Sequence, residues 1–301
     1  MSILRFDHVR KAFAGAVVLD DFCLEVKRGE VYGLLGPNGC GKSTAINILC
    51  NLLDPDRGSV EILGRRASAD AARVIGLCPQ EIALYRDLHP EENLRFFARI
   101  HGLAGAGCEE RVSDLTRRFG LGRFARTRTG ALSGGWQRRL NIAVALVHSP
   151  EVLVLDEPTS AVDLEARHEL WRLIEALRAG GTTILLSTHQ LDVAERLCSR
   201  IGIMKGGRIA REGSVAELLG VVPGKLVALI DAADELAVRD RAATLGWGVR
   251  HYAGRLACLL PEEASLRSVV DALVGIEVSA VSLQRVSLEH AFLEVIHQGR
   301  S

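Results

Sequence analysis

The chain has 301 residues, of which 48% are hydrophobic, and it carries 37 basic and 37 acidic side chains. This balance is typical of a soluble globular protein, and the length predicts one large domain or a large domain with a small one. The zero net charge argues against nucleic acid as the main partner, because binding to phosphates requires a basic surface.

The apolar runs of the chain are too short for a transmembrane helix, which takes about 20 residues. Arg5 and Asp7 come too early for a secretory signal peptide, so we expect neither a leader nor a membrane span. The seven cysteines are scattered and never form a C-x-x-C pair. This usage favours reduced thiols over a disulfide framework or a zinc site.

The first two thirds of the chain alternate between predicted strands and helices. Short apolar runs predict strands at Leu4–Val9, Val17–Val26, Val31–Leu35, Val152–Leu155 and Thr183–Ser187, with a hairpin over 201–211. Helical patterns cover Ser43–Leu53, most of 81–132 and Glu165–Arg178. Such alternation predicts an α/β domain with a largely parallel sheet.

After Val222-Pro223-Gly224 the pattern starts again with a strand, and it continues in the order βαββαβ before a last amphipathic helix from Ser287 to Ile296. We therefore predict two domains, 1–221 and 222–301, with a helical subdomain at about 81–148 in the first. The second domain has no cluster of catalytic residue types, and it is predicted to be a small α+β accessory domain.

A glycine-rich loop joins the strand at Val31–Leu35 to the following helix, and it matches the pattern G-x-x-x-x-G-K-[ST]. Its residues are Gly36, Pro37, Asn38, Gly39, Cys40, Gly41, Lys42, Ser43 and Thr44. Glycines let backbone N–H groups close around phosphate oxygens, and the helix N-terminus adds its positive dipole end. We expect Lys42 to reach the β- and γ-phosphates of a nucleotide and Ser43 to coordinate Mg²⁺.

Two acidic residues, Asp156 and Glu157, follow the buried strand at Val152–Leu155. Side chains at the carboxyl end of such a strand project into the site crevice. Asp156 is therefore placed to hold Mg²⁺ through water, and Glu157 is placed to polarise the attacking water.

A third motif, Leu132-Ser133-Gly134-Gly135, opens the next helical run. A serine and two glycines at a helix N-terminus make an open anion site, although alone they would be read as an ordinary helix cap. Together, the three motifs resemble those of the nucleotide-binding subunits of ABC transporters over residues 1–220. The resemblance implies a P-loop NTPase fold that binds and hydrolyses ATP.

The resemblance also assigns four further residues. Phe13 matches the aromatic that stacks on adenine, and Gln80 matches the glutamine that senses Mg²⁺ and the membrane partner. Asp163 matches the loop that crosses the dimer interface, and His189 matches the histidine that contacts the γ-phosphate. In this family Ser133, Gly134 and Gly135 of one subunit close on the nucleotide of the other, which implies a homodimer.

Two positions depart from the common family pattern. Trp136 replaces the usual glutamine after the motif Leu132–Gly135, which we call the signature, and Phe13 stands where tyrosine is commoner. We expect activity to survive both, because the phosphate contacts precede Trp136 and stacking needs only the ring. At Cys40, the helix dipole and Lys42 are expected to favour a thiolate that reacts faster with maleimides than the other six thiols.

The tail from Ser287 to Glu294 resembles ATPases of drug and antibiotic exporters of the daunorubicin-resistance kind. It implies a separate integral-membrane permease, which would hold the subunit at the cytoplasmic face of the membrane. We expect residues 81–100 to dock on the permease, because apolar residues such as Tyr85 and Leu88 follow Gln80.

Three other interpretations were weighed. The first is a soluble ABC ATPase that acts on a protein or nucleic-acid machine, but such members carry long insertions or tandem domains. A P-loop GTPase would need an N-K-x-D motif, which the sequence lacks. A module that holds ATP without hydrolysing it is disfavoured by the presence of Glu157 and His189.

Overall fold

The computed structural model of the chain describes residues 2–160, 162–252 and 254–297. The chain divides into two compact units, Met1–Glu212 and Gly213–Ser301. Within the described part, every helix is too short or too polar to span a bilayer.

The first unit contains two sheets, with strand orders β2-β1-β4-β5 and β10-β9-β3-β8-β7-β6. Its strands are β1 (Ser2–Phe13), β2 (Ala16–Lys27), β3 (Val31–Leu35), β4 (Arg57–Ile62), β5 (Arg65–Arg66), β6 (Ile75–Cys78), β7 (Val152–Asp156), β8 (Thr183–Thr188), β9 (Arg200–Lys205) and β10 (Arg208–Gly213). The first sheet is antiparallel, and its alternating buried residues, such as Phe22, Leu24 and Val26, face the core.

The second sheet has a parallel centre, as the sequence predicts. Strand β3 pairs with β8 and β9, and β7 pairs with β8 and β6, all in parallel. All residues of β3, β7 and β8 are buried, because helices cover both faces of a parallel sheet. The carboxyl ends of these three strands therefore meet at one edge.

Strands β4, β5 and β6 are missing from our sequence prediction, which has no strand between Leu35 and Val152. Strand β6 is a short apolar run of four residues that pairs with β7. The strand ends at Cys78, and this places the following Pro79-Gln80 segment at the same edge as the glycine-rich loop 36–44, which we call the P-loop.

The helices of the first unit surround these sheets. They are α1 (Lys42–Leu49), α2 (Ala69–Ala72), α3 (Pro90–Ile100), α4 (Gly105–Arg118), α5 (Gly134–Ala145), α6 (Leu164–Ala179) and α7 (Leu191–Leu197). Helix α3 begins at Pro90, because the Glu92 carboxylate accepts a hydrogen bond from the backbone N–H of His89 at 2.7 Å and proline suits the first helical position. Helices α3, α4 and α5 pack together in the segment that we predicted as a helical subdomain.

The second unit contains a four-stranded antiparallel sheet with the order β12-β13-β11-β14. Its elements are α8 (Val215–Leu219), β11 (Leu226–Ala232), α9 (Glu235–Thr244), β12 (Gly248–Tyr252), β13 (Arg255–Leu260), α10 (Leu266–Ala272), β14 (Val278–Arg285) and α11 (Leu288–His297). From β11 to α11 their order is the βαββαβ-plus-helix arrangement that the sequence predicts. Helix α8 contacts α11, and the unit therefore starts at Gly213, earlier than our boundary at residue 222.

Helix α11 is fixed to the sheet of this unit by a buried carboxylate. The hydroxyl of Tyr252 and the Nε of Arg250 both donate to Oε1 of Glu294, at 3.0 and 2.6 Å. Leu288, Ala291 and Val295 are buried on the same helix. Because the buried carboxylate has two donors, its desolvation is compensated.

Two stacked histidines join the end of α3 to the segment after α5 in the first unit. The rings of His101 and His148 lie 3.9 Å apart at an angle of 9°. Nε2 of His148 lies 3.1 Å from the carbonyl oxygen of Ile75. Burial, with a smaller contribution from His101, lowers the pKa of His148 from 6.5 to about 4.

We predict that the substitution His148→Gln reduces the sensitivity of the fold to acid. An unfolded chain takes up a proton on His148 below about pH 6.5, whereas the folded chain does so only near pH 4. Wild-type stability is therefore lost as the pH falls through this window, by at most about 1.4 kcal/mol per pH unit. Urea unfolding at pH 7 and pH 5 measures the difference, and parallel losses in both proteins would refute this role of His148.

Candidate active site

The P-loop between β3 and α1 is folded around its own lysine. Gly39 and Gly41 have φ angles of +78° and +107°, a left-handed conformation that glycine adopts without strain. The ammonium group of Lys42 donates to the carbonyl oxygens of Gly36 and Pro37, at 2.7 and 3.2 Å. This geometry forms a loop whose backbone encircles a nearly buried cation.

The first acid, Asp156, lies at the end of β7 and accepts two hydroxyl hydrogen bonds. Oγ of Ser43 donates to it at 3.1 Å, and Oγ of Ser187 donates to its other oxygen. Ser187 lies on β8 and is fully buried, and our sequence analysis did not select it. Its position at the end of a buried strand, two residues before His189, is the signal that could have identified it.

The second acid, Glu157, lies between a cation and an imidazole. Its Oε1 is 3.5 Å from Nζ of Lys42 and 2.9 Å from Nδ1 of His189. The backbone of Glu157 has a left-handed φ of +47°, and its N–H donates to Oγ of Ser187 at 3.1 Å. The side chains of Glu157 and Lys42 are nearly buried, so their attraction is little screened by solvent.

Lys42, Ser43 and Glu157 face a cavity of about 430 Å³. The residues that line it are Phe13, Val18, Asn38, Gly39, Gly41, Lys42, Ser43, Thr44, Gln80 and Glu157. The ring of Phe13 is 45% exposed, and one face is approached by the ammonium group of Lys11 at 5.6 Å. The structure thus brings Phe13 and Gln80 to the P-loop, and it adds Val18, which the sequence analysis missed.

The signature residues lie elsewhere in the same unit. Ser133 is the exposed N-cap of α5, and a Cβ atom added to Gly135 would lie 2.4 Å from the Cβ of Ala166 on α6. Asp163 caps α6 by accepting a hydrogen bond from the N–H of Ala166 at 2.9 Å. Ser133, Gly135 and Asp163 line a separate cavity of about 270 Å³, so one chain does not bring them to the P-loop cavity.

Trp136 forms one wall of this second cavity. Its ring packs edge-on against Phe124 at 4.7 Å, and the guanidinium groups of Arg123 and Arg139 lie 5.4 and 4.9 Å from its centroid. The replacement of glutamine by tryptophan is thus accommodated by aromatic and cation–π contacts on α5 and the segment before it.

Arg138 is a further residue that the sequence analysis did not select. This buried side chain of α5 donates to the carbonyl oxygen of Pro79 at 2.7 Å and also to that of Gln80. It therefore connects the signature helix directly to the backbone of the segment that lines the P-loop cavity.

The expectation of a reactive thiolate at Cys40 is wrong. Burial raises the pKa of the Cys40 thiol, and this outweighs the opposing effect of Lys42. The sulfur points toward Gly36, where an added Cβ atom would lie 2.7 Å from it. Cys40 is therefore a half-buried spacer in the loop, whereas Cys23 is the exposed cysteine of the chain.

Comparison with known proteins identifies relatives along both units. The family described as ABC transporter matches residues 19–160. A second family, described as AAA domain, putative AbiEii toxin, Type IV TA system, matches residues 130–194, which include the signature, β7 and β8.

Two curated relatives are similar over most of this chain. The Nod factor export ATP-binding protein I of Paraburkholderia xenovorans is 41% identical over 80% of this chain and 81% of its own length. A daunorubicin resistance ATP-binding protein of Streptomyces coeruleorubidus is 36% identical over 98% of this chain and 96% of its own length.

Solved structures resemble the larger part of the chain. One is cbiO1 from Clostridium perfringens, part of an ABC transporter complex, with a TM-score of 0.68, 28% identity and coverage of 73% of this chain and 91% of that one. Another is a dimeric ATP-binding cassette in a post-hydrolysis state bound to ADP and Pi, with a TM-score of 0.63, 28% identity and coverage of 70% and 98%. The predicted fold class and the predicted resemblance are both confirmed.

We predict that a brief maleimide treatment modifies Cys23 before any other cysteine. Cys23 is exposed, whereas burial raises the pKa of the Cys40 and Cys50 thiols and leaves less thiolate to react. Peptide mapping should find Cys40 labelled several-fold more slowly, and Cys23→Ser should remove the fast phase. A fast phase that persists in this variant and maps to Cys40 would contradict the structure.

Proposed function

Because this chain belongs to the family of ABC transporter ATP-binding proteins, we propose that it is the ATPase subunit of an exporter. The observation that carries the export assignment is the match to the daunorubicin resistance protein, which extends through both units of the chain. A Nod factor export ATP-binding protein is also among the relatives, and its name likewise refers to export. The membrane channel in this proposal is a separate permease, which holds the subunit at the cytoplasmic face of the membrane.

The chain binds and hydrolyses ATP, as its family does. In our assignment, adenine stacks on the exposed ring of Phe13, and the phosphates occupy the P-loop. Without nucleotide, Lys42 donates to two carbonyl oxygens of that loop. When ATP binds, the lysine would exchange these neutral acceptors for phosphate oxygens, which carry more negative charge.

The residues beside the P-loop fit a magnesium ion. Ser43, Asp156 and Gln80 offer hydroxyl, carboxylate and amide oxygens, which are the hard ligands that Mg²⁺ prefers. The ion would neutralise charge on the β- and γ-phosphates when it is bound. Ser187 would keep Asp156 oriented, because it donates to the oxygen that does not contact Ser43.

Glu157 is assigned as the group that polarises the attacking water. Its carboxylate is nearly buried and lies beside the lysine of the P-loop, where the γ-phosphate is expected. Nδ1 of His189 donates to the same Oε1 and thereby fixes the orientation of the carboxylate. In this assignment His189 also contacts the γ-phosphate, and Gln80 senses whether Mg²⁺ is bound.

The separation of the two cavities supports a two-chain mechanism. Among the residues that the structure describes, the P-loop cavity and the signature cavity have no lining residue in common. Ser133 is exposed with no hydrogen bond from its side chain to the helix, and no atom of the described part of the chain lies within 4 Å of a Cβ added at Gly134. We therefore propose that these groups bind the nucleotide of a second chain, and that ATP joins two chains.

The docking surface for the permease is proposed to be the segment 81–100. Tyr85, Phe96 and Ile100 are exposed by 49%, 37% and 62%, and the first two rings pack edge-on at 4.5 Å. Phe96 and Ile100 also line an open apolar groove. Large apolar side chains that cluster on a surface favour a protein partner.

We predict that Glu157→Gln traps an ATP-bound dimer. Loss of the carboxylate charge should slow hydrolysis by about 100-fold or more, while the P-loop contacts that bind ATP remain. Light scattering of the variant with ATP should therefore detect twice the monomer mass.

The double variant Glu157→Gln, Ser133→Arg is the matched control. It should still bind ATP at its own P-loop but remain monomeric, because the added side chain blocks the exposed N-cap of α5. A dimer that persists in this double variant would refute the role assigned to Ser133, and a monomeric single variant would refute ATP-driven pairing.

We predict that Phe96→Asp uncouples the subunit from its permease without loss of basal ATPase activity. Burial of a phenylalanine side chain contributes about 1.5–3 kcal/mol, so binding to permease-containing membranes should weaken by roughly 10- to 100-fold. Leu236→Asp, at a leucine of the second unit that is 72% exposed against 37% for Phe96, is the control. Equal membrane binding of Phe96→Asp and wild type in a flotation assay would exclude this surface.

A further inference from the structure

Three side chains of different chemistry converge on the exposed face of the β1–β2 pair. Nδ1 of His8 lies 2.5 Å from Oδ1 of Asp21, and the backbone N–H of His8 donates to Sγ of Cys23 at 3.3 Å. One ligand atom from each side chain lies within 4.8 Å of those of the other two. We propose that His8, Asp21 and Cys23 form a binding site for a divalent transition-metal ion of the zinc class.

The local strand geometry produces this convergence. Asp21 and Cys23 flank the buried Phe22, so the alternation of β2 places both on the exposed face. The pairing of β1 with β2 shifts its register between Phe6 and Val9, and His8 within this bulge has a φ of +48°. The bulge is a common way to re-aim a side chain, and here it directs His8 toward the two residues of β2.

The donor set matches zinc better than magnesium or calcium. Imidazole nitrogen, thiolate sulfur and carboxylate oxygen are the three common zinc ligands, at about 2.0–2.3 Å from the ion. Magnesium and calcium prefer oxygen alone. All three side chains are exposed, so the surroundings leave room for the rotations that would bring their ligand atoms to these distances. A water molecule would complete a four-coordinate site.

The ion would replace a shared proton. Asp21 raises the pKa of His8 through its hydrogen bond and charge, and His8 lowers the pKa of Asp21 in return. Metal binding would displace this proton, because imidazole binds a metal only in its neutral form. Three other charged groups act on this pair: Asp7 raises the pKa of His8, Arg5 lowers it, and Arg208 lowers the pKa of Asp21.

The second unit contains a natural comparison for this site. Nε2 of His251 lies 3.0 Å from Oε2 of Glu235, which is an exposed histidine–carboxylate pair without a sulfur ligand. If an ion pair alone explained the contact between His8 and Asp21, the two sites should behave alike toward metals. The sulfur of Cys23 is what distinguishes them.

The test is a titration of the full chain with Co²⁺ in the absence of nucleotide. Wild type should bind a single ion with a near-ultraviolet charge-transfer band from sulfur to cobalt. Cys23→Ser should abolish the band, and His8→Gln or Asp21→Asn should weaken binding by roughly tenfold or more. His251→Gln should leave both the band and the affinity unchanged. Zn²⁺ should also protect Cys23 from maleimide in wild type.

Three outcomes would overturn the proposal. These are the absence of a charge-transfer band at millimolar Co²⁺, a band that persists in Cys23→Ser, and equal binding by wild type and Asp21→Asn. Circular dichroism checks that each variant is folded. If Cys23→Ser does not fold, the metal affinity of Asp21→Asn tests the proposed site instead. ATPase activity is not a readout here, so failure of the metal site would leave the proposed function untouched.

Discussion

The nucleotide site depends on the alignment of three parallel strands that end at the same level. Leu35 of β3 pairs with Thr188 of β8, and Asp156 of β7 pairs with Ser187 of β8. The residues that follow these ends are the P-loop, Glu157 and His189. A slip of one residue in either pairing would reverse the facing of every side chain in the strand. The distances between Lys42, Glu157 and His189 therefore follow from the register of a fully buried sheet.

Much of this arrangement could be predicted from the sequence, because its strongest signals are local. The P-loop and the Asp156-Glu157 pair each adjoin a continuous apolar run, and a buried strand leaves the same pattern wherever it occurs. The order of elements in the second unit was predictable for a similar reason, since each strand and helix has its own periodicity. The positions of the second cavity and of Arg138 depend on contacts between distant segments, which no local pattern encodes.

The errors have physical causes that can be named. Strand β6 has only four residues and lies next to a helical region, so its apolar run was too short to stand out. The expectation for Cys40 counted the helix dipole and Lys42 but not burial, which is the largest contribution to its pKa. Spacing along the chain also cannot show which side chains two paired strands bring together, so the cluster of His8, Asp21 and Cys23 left no signal in the sequence.

The contact of Arg138 with Pro79 and Gln80 has a mechanical consequence. Its guanidinium group holds two backbone carbonyl oxygens from a rigid position on α5, so it acts as a tie between that helix and the start of segment 81–100. A rotation of α5 cannot occur without either stretching these bonds or carrying the tied backbone with it. Because Tyr85 follows this backbone and packs against Phe96, a rotation of α5 would displace both rings.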